Sequence, residues 1–369
     1  MPLKIALLIE LFYPHVAGCE NRFFEIGRRL VKHGHEVHVF TLQYEADLPK
    51  EETVDGIIVH RYALSGNYIT PTGFRSVNGV LKYALGTLAR LLTENFDIYY
   101  SNQWPMMHSV FARPTASPLL QEWCEVWTRS QRMMMLQKIL SLMSAHHVAV
   151  SEFTRRRVVN FLKVAPEKVS VIPNGVNCRK ISDGSNHKTR GRIVYVGRLV
   201  PHKHVEMLVD AFRQVKKKSP KAELHVIGSG PSLAMIKDQA SGLDDFFIHG
   251  FLPENQMLDI LRSSSLLIFP SEREGSGIVA LEAMAAGTPV ITVDFPDNAA
   301  KELVNGMNGL VVPPSTDAMA QATLTLFDDE SRLCEMSEYA QAFARQYDWD
   351  SIVVDFEEVL KNVVEQSQN

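Results

Sequence analysis

Residues 270–291, PSEREGSGIVALEAMAAGTPVI, set two acids, Glu274 and Glu282, on either side of a small-residue turn, Gly275-Ser276-Gly277. Small residues ahead of an alanine-rich helix put backbone N–H groups at its start, where the dipole favours an anion. Glu282 falls about one and a half turns into that helix, at roughly 3.6 residues per turn. A carboxylate on each side of an anion cradle suits a sugar nucleotide: diphosphate at the helix start, hexose beside one acid, ribose beside the other. Upstream, Gly197-Arg198-Leu199-Val200-Pro201-His202-Lys203-His204 supplies two cations. Arg198 grips phosphate oxygens in a fork and Lys203 acts as a point charge, so the pair can neutralise a departing diphosphate. His202 and His204 lack further obvious ligands, so no metal is expected.

These side chains need rigid elements to hold them. Leu266 to Phe269 is a short apolar run that reads as a buried strand, ended by Pro270 and Ser271. Gly287 stops the helix and Pro289 opens the next strand. Arg198 and Lys203 follow directly on a strand at Arg192 to Val196. Strands and helices alternate along the chain, with further strands at Leu3 to Ile9, His35 to Thr41, Gly56 to Tyr62, Asp97 to Tyr100, Leu119 to Glu122, His147 to Val150, Lys168 to Ile172, Glu223 to Ile227 and Phe246 to His249. Such alternation predicts an α/β protein of two doubly wound Rossmann-like domains, with parallel sheets covered on both faces. The expected domains are 1–173 and 174–348, with the Pro173-Asn174-Gly175 turn and the polar stretch 182–190 at the boundary. Ligands of such domains sit outside the carboxyl ends of the strands, so two facing domains would share one cleft.

Composition narrows the class. The 369 residues suit two domains, and 46% hydrophobic content supports full cores. A formal net charge of −4 gives no reason to expect nucleic acid as a partner. Cys19, Cys124, Cys178 and Cys334 show no C-x-x-C spacing and read as free thiols in a reducing compartment. No apolar run is long enough to span a bilayer, and the opening MPLKIALLIE is too short for a secretion signal, so a cytoplasmic protein is expected. Residues 5–18 lack G-x-G-x-x-G, which disfavours a dinucleotide oxidoreductase.

The stretch from Glu274 resembles the Glu-x7-Glu signature of family 4 retaining glycosyltransferases, E-G-[FL]-G-x4-E-A-M-A-x-G-x-P-V, with Ser276 at the Phe or Leu position. Gly197 to His204 is similar to the family's G-R-x4-K-G, with His204 for the last Gly. Phe12 to Glu20 resembles its P-x-x-G-G-x-E loop, with Ala17 for the first Gly and Gly18 for the second. Gln121 to Trp127 resembles its W-H-E-V-W strand end, with Cys124 where the family has histidine. Ser151 to Thr154 and Ile172 to Val176 are usual at the domain junction.

This resemblance implies the GT-B architecture, two Rossmann-like domains facing across a cleft, with a final helix at about 349–369 packing back on the first. It implies a hexosyltransferase that needs no cofactor beyond its nucleoside-diphosphate sugar, UDP being the commonest choice and GDP next. The acceptor would be a hydroxyl of a glycan, a lipid-linked molecule or a small molecule. A donor phosphate oxygen would take the acceptor proton, so no protein base is required. Arg198, Lys203 and Glu274 take the catalytic roles. Gly18, Gly197, Phe251, Leu252, Gly275, Ser276, Gly277, Ile278 and Glu282 bind the donor. Asn102, Trp104, Glu122 and Cys124 stand on the acceptor side. A nucleotide-sugar epimerase, a glycosyl phosphorylase, and a nucleotide-sugar binder with weak or no turnover stay open. The last gains from Cys124, since a thiol replaces imidazole poorly. Helix 128–143 mixes Arg129, Arg132 and Lys138 with methionine and leucine. It either faces the core or lies on a lipid surface, peripheral on the inner face of a membrane.

Overall fold

The structure, a computed structural model, describes residues 1–15, 18–62, 76–104, 110, 117–128, 130–184 and 187–368. The chain divides into two compact units, Met1–Asn174 with Trp349–Asn369, and Gly175–Asp348.

The first unit holds β1 (Lys4–Leu8), β2 (Glu36–Leu42), β3 (Glu51–Val54), β4 (Ile57–Tyr62), β5 (Ile98–Ser101), β6 (Leu119–Trp123), β7 (His146–Ala149) and β8 (Val169–Val171). They form one sheet in the order β3-β4-β2-β1-β5-β6-β7-β8. All neighbours run parallel except β3 and β4. The central strands are apolar along their length because helices cover both faces. Strand β3 escaped the sequence reading, since Glu-Glu-Thr-Val is a polar edge rather than a core strand. Its signal was the Asp55-Gly56 turn, where both residues take the positive φ that a tight hairpin needs. The Trp349–Gln368 helix joins this unit, burying Trp349, Ile352, Val353, Phe356, Leu360, Val363 and Val364 on one face. Phe356 meets the Tyr100 ring at 4.7 Å. Burying one such side chain contributes about 1.5–3 kcal/mol.

The second unit holds β9 (Thr189–Val196), β10 (Glu223–Ile227), β11 (Phe246–Gly250), β12 (Ser264–Phe269), β13 (Arg273–Glu274), β14 (Val290–Val293), β15 (Asp297–Asn298) and β16 (Gly309–Val312). Six of them form a parallel sheet in the order β11-β10-β9-β12-β14-β16, and β13 pairs with β15 alone. The described residues of 182–190, expected at the domain boundary, lie within the second unit. The Cys178–Ser182 helix and Asp183 give carbonyls to the Arg262 guanidinium, and Lys188 leads straight into β9. The sequence reading assigned nothing to 299–348. That stretch holds β16 and the Thr316–Asp328 and Glu330–Ala344 helices, which pack on the same core.

In each sheet the strand order reverses at one place, between β1 and β5 and between β9 and β12. Connections on the two sides of such a switch point diverge to opposite faces and leave a crevice beyond the strand ends.

Candidate active site

Two loops of the second unit leave the β9–β12 switch point. Behind β9, Pro201–Lys203 makes one short 3-10 turn that points Lys203 back toward β12. Lys203 is only 9% exposed. Its ammonium hydrogen-bonds the Glu274 carboxylate and lies 5.2 Å from the centre of the Phe269 ring. The Glu272 amide donates to the His202 carbonyl at 2.9 Å, which joins the two loops by their backbones. Burial, with Arg198 and Arg273 nearby, pulls Lys203 down to about 8 in spite of its carboxylate partner. The same cations add to burial in taking His202 to about 4. The site is thus a concentration of positive charge, with Arg198 exposed at its rim.

His204 takes the left-handed region, φ 48° and ψ 40°. That explains why a glycine suits this position, and histidine is among the side chains that enter the region most readily. Its ring stacks on Phe295 at 5.2 Å, and its nitrogens lie 2.9 Å from Glu206 and 3.4 Å from Glu272. Among the described residues no three His, Cys, Asp or Glu side chains are placed to hold a metal.

A segment that sequence reasoning passed over, 295–300, supports all these parts. Phe295 backs His204. Asp297 and Asn298 form β15, which pairs Glu274 with Asn298 and so fixes the loop carrying Glu274. Asn298 is fully buried. It donates to Thr292 Oγ1 at 3.0 Å and the Val293 carbonyl at 2.9 Å, and accepts from the Ala300 amide at 3.1 Å. Ala300 in turn packs under Gly277. Gly277 has φ 71°, and a Cβ there would lie 2.6 Å from that of Ala300. Gly277 starts the Ile278–Ala285 helix without a side-chain cap. The available signal was Phe-Pro-Asp-Asn, a turn sequence directly after a strand.

The loop after β10 was missed as well. Gly228 has φ 136°, and a Cβ there would stand 1.9 Å from the Gly197 carbonyl. The backbones of 197–199 and 227–232 are hydrogen-bonded, Gly197 to Ile227 and Leu199 to Ser229, and Gly228 continues to Gly250. Ile-Gly-Ser-Gly-Pro was legible as a strand-ending turn. Beyond β11, Phe251 is 86% exposed and Leu252 half-buried. Glu282 is partly buried in its helix, and burial, with Glu254 adding like charge, raises it to about 7.

In the first unit, Gly18 begins the Gly18–Lys32 helix. At the other side of the β1–β5 switch, the Asn102 amide donates to the Leu8 carbonyl and its side chain accepts from the Trp104 amide, both at 2.9 Å. Trp104 meets Trp127 edge-on at 6.1 Å. Glu122, expected on the acceptor side, is instead fully buried and pairs with Arg22 and Tyr100. Arg22 also donates to the Ile172 and Pro173 carbonyls at 2.9 and 2.7 Å. It locks the helix to the end of the sheet, a role its place on the inner face of an amphipathic helix could have signalled. The Cys124 thiol donates to Glu122 at 3.5 Å, and Cys19 Sγ stands 3.8 Å from Cys124 Sγ.

Comparison with known proteins agrees with this geometry. Residues 179–343 match the family described as Glycosyl transferases group 1, and residues 16–180 match Glycosyltransferase Family 4. The chain belongs to the family 4 glycosyltransferases. This glycosyltransferase is 25% identical to an uncharacterized glycosyltransferase of Methanocaldococcus jannaschii, over 98% of its own length and 99% of the relative's. It is also 25% identical to a D-inositol 3-phosphate glycosyltransferase of Kineococcus radiotolerans, over 92% and 89%. Its fold resembles sucrose-phosphate synthase from Thermosynechococcus elongatus, with TM-score 0.82, 17% identity and 99% and 100% coverage. It also resembles Anabaena HepE solved in complex with UDP-glucose, with TM-score 0.77, 18% identity and 98% and 100% coverage. The fold class is GT-B, built from two Rossmann-like units. No helix of the described residues is long and apolar enough to cross a membrane.

Proposed function

We propose that this glycosyltransferase moves a hexose from a UDP-sugar to an acceptor hydroxyl with retention at the anomeric carbon, without a metal ion or other cofactor. The observation that carries the reading is the Lys203–Glu274 pair at the β9–β12 switch point, with Arg198 beside it and the helix start at Gly277 next in sequence. The complex of HepE with UDP-glucose supports UDP over GDP.

In this mechanism the bond from the anomeric carbon to the diphosphate oxygen breaks, and its electron pair leaves with the diphosphate. Lys203 and Arg198 neutralise that charge, helped by the amides of Gly275 to Ile278 and the backbone at Gly18 and Gly197. The acceptor oxygen bonds to the same face of the sugar, and its proton passes to a donor phosphate oxygen. Glu274 accepts hydrogen bonds from the hexose hydroxyls, and Glu282 from the ribose. The base stacks on Phe251 and Leu252. Asn102, Trp104 and Cys124 orient the acceptor.

Thermal-shift screening against UDP-, GDP- and ADP-sugars selects the donor, because a ligand that binds only the folded chain raises the unfolding midpoint. Product analysis then decides the reaction. Free UDP with an α-glycoside from an α-linked donor supports the mechanism; a β-glycoside, or turnover lost on adding a chelator, overturns it. A binder without turnover is the second reading, favoured by Cys124 in place of imidazole. Donor binding with no glycoside from any acceptor class would support it.

The Gln131–Ser141 helix bears on the acceptor. It buries Gln137, Leu140 and Ser141, while Met135, Leu136, Ile139 and the following Leu142 face outward beside exposed Arg132 and Lys138. These exposed apolar side chains favour the lipid-facing reading over the core-facing one. This face supports peripheral contact with the inner, anionic leaflet and a lipid-linked acceptor. Co-sedimentation with phosphatidylglycerol vesicles and not with phosphatidylcholine vesicles is the expected result.

A further inference from the structure

Cys19 and Cys124 come from distant parts of the chain, 105 positions apart, yet their sulfurs lie 3.8 Å from each other. Cys19 is in the first turn of the Gly18–Lys32 helix, and Cys124 follows β6. Both are partly exposed, so a small oxidant reaches them. Their surroundings are held firmly. Gln103 accepts from the Cys124 amide at 3.2 Å, and Arg22 ties the Cys19 helix to Glu122, two residues before Cys124. The remaining cysteines, Cys178 and Cys334, belong to the other unit.

We propose that Cys19 and Cys124 form a reversible dithiol–disulfide couple, a modification site in the first unit that responds to hydrogen peroxide or small disulfides. The sulfurs are already in van der Waals contact, and closing to a bond of about 2.05 Å needs a movement of rotamer size. With peroxide, Cys19 Sγ attacks one oxygen, the O–O bond breaks, and water leaves behind a sulfenic acid. Cys124 Sγ then attacks the Cys19 sulfur. The S–S bond forms, the S–O bond breaks, and the departing hydroxide takes up the Cys124 proton as water. The two thiols give two electrons and peroxide receives them; a dithiol reductant reverses the change. The order follows from the site. The hydrogen bond to Cys19, then burial, and the nearby Glu122 carboxylate hold the Cys124 thiol well above its ordinary range, so it is the resolving partner. Glu122 Oε1, at 3.5 Å from Cys124, is placed to relay that proton.

The bond would tie the loop after β6 to the helix that begins at Gly18. No part of this chemistry uses the donor residues of the second unit, so it stands or falls separately from the proposed reaction.

The test uses the full chain, reduced, exposed to hydrogen peroxide, alkylated and digested without reductant. The expected product is a peptide pair joined through Cys19 and Cys124, with two of the four thiols lost and both recovered by dithiothreitol. Cys19→Ser should keep its three remaining thiols, whereas Cys124→Ser should lose only Cys19, trapped as a sulfenic acid with no cross-link. If Cys124→Ser fails to fold, Cys19→Ser with its half-exposed side chain carries the comparison. Four alkylatable thiols after oxidation, over-oxidation of Cys19 without a cross-link, or a link to Cys178 or Cys334 would each overturn the proposal. So would stoichiometric zinc held by the pair in the reduced protein.

Discussion

Lys203 and Glu274 meet across the β9–β12 switch point, one from each of two loops that a backbone hydrogen bond between Glu272 and His202 joins. A buried cation and a partly buried anion in contact set each other's position. The pair is expected to carry turnover. Lys203→Ala and Glu274→Gln should each lower kcat by about 10²–10³, the cost of removing one preorganised charge. The double variant should lose less than the product of the two, because the residues touch. Wild-type turnover in both single variants, with the true donor and acceptor, would remove these roles.

Turnover should fall as pH rises through about 8. Lys203 acts as an ammonium, and burial with Arg198 and Arg273 brings its loss of charge down to about 8. The profile of kcat/KM reports that free-enzyme group. Stability moves the other way. The unfolded chain keeps this proton up to its ordinary value of 10.5, so it binds more protons than the folded chain between about 8 and 10.5, and stability rises with pH there. In Lys203→Arg any remaining activity should lose its alkaline limb. A limb unchanged in that variant would assign it to another group.

Glu282 has the opposite consequence for stability. Burial raises it from 4.5 to about 7, so the folded chain holds a proton that the unfolded chain has lost. Stability from this group is full below pH 4.5 and declines as pH rises to about 7. The shift corresponds to about 3 kcal/mol at most, at 1.36 kcal/mol per unit. Glu282→Gln should therefore be more stable than the natural chain at pH 8 and nearly equal at pH 4.5, while binding donor more weakly. Urea unfolding at the two pH values measures this, and an equal stability difference at both would refute it.

Gly277 and Asn298 should act through geometry. Gly277→Ala forces a Cβ to 2.6 Å from Ala300 Cβ at φ 71°, for a loss of about 1–3 kcal/mol. Asn298→Ala leaves the Ala300 amide and Val293 carbonyl without their side-chain partner, costing about 1–3 kcal/mol. Asn298→Ala should also lower kcat while the folded variant keeps its donor affinity within about threefold, since Asn298 pairs with Glu274 by backbone. A loss of stability with kcat untouched would make Asn298 structural only.

Arg22→Ala should cost about 3–5 kcal/mol, because it strands the fully buried Glu122 carboxylate. Arg22→Ala with Glu122→Gln should recover part of that loss. Denaturant midpoints with unchanged slopes would establish it; no recovery would mean that the Ile172 and Pro173 carbonyls, rather than the charge pair, dominate.

The sequence by itself determined the α/β class, the strands that build each sheet's centre, and the residue types of the site. The physical reason is local. Apolar runs such as Ile5 to Leu8 and Leu266 to Phe269 can only be buried strands, and Gly277 or Gly287 marks a turn through its own backbone freedom. What it could not supply was partnership. Glu274 was legible as a hydroxyl-binding acid, but its contact with Lys203 depends on the strand order that brings β9 beside β12. Glu122 read as an acceptor contact, and only packing revealed that Arg22 and Tyr100 already occupy it. Asn298 stayed silent because a buried amide that knits two backbone groups and a threonine hydroxyl looks, in one dimension, like any turn residue. Charge, burial and φ at these positions are properties of neighbours far apart in the chain, and tertiary structure alone decides who those neighbours are.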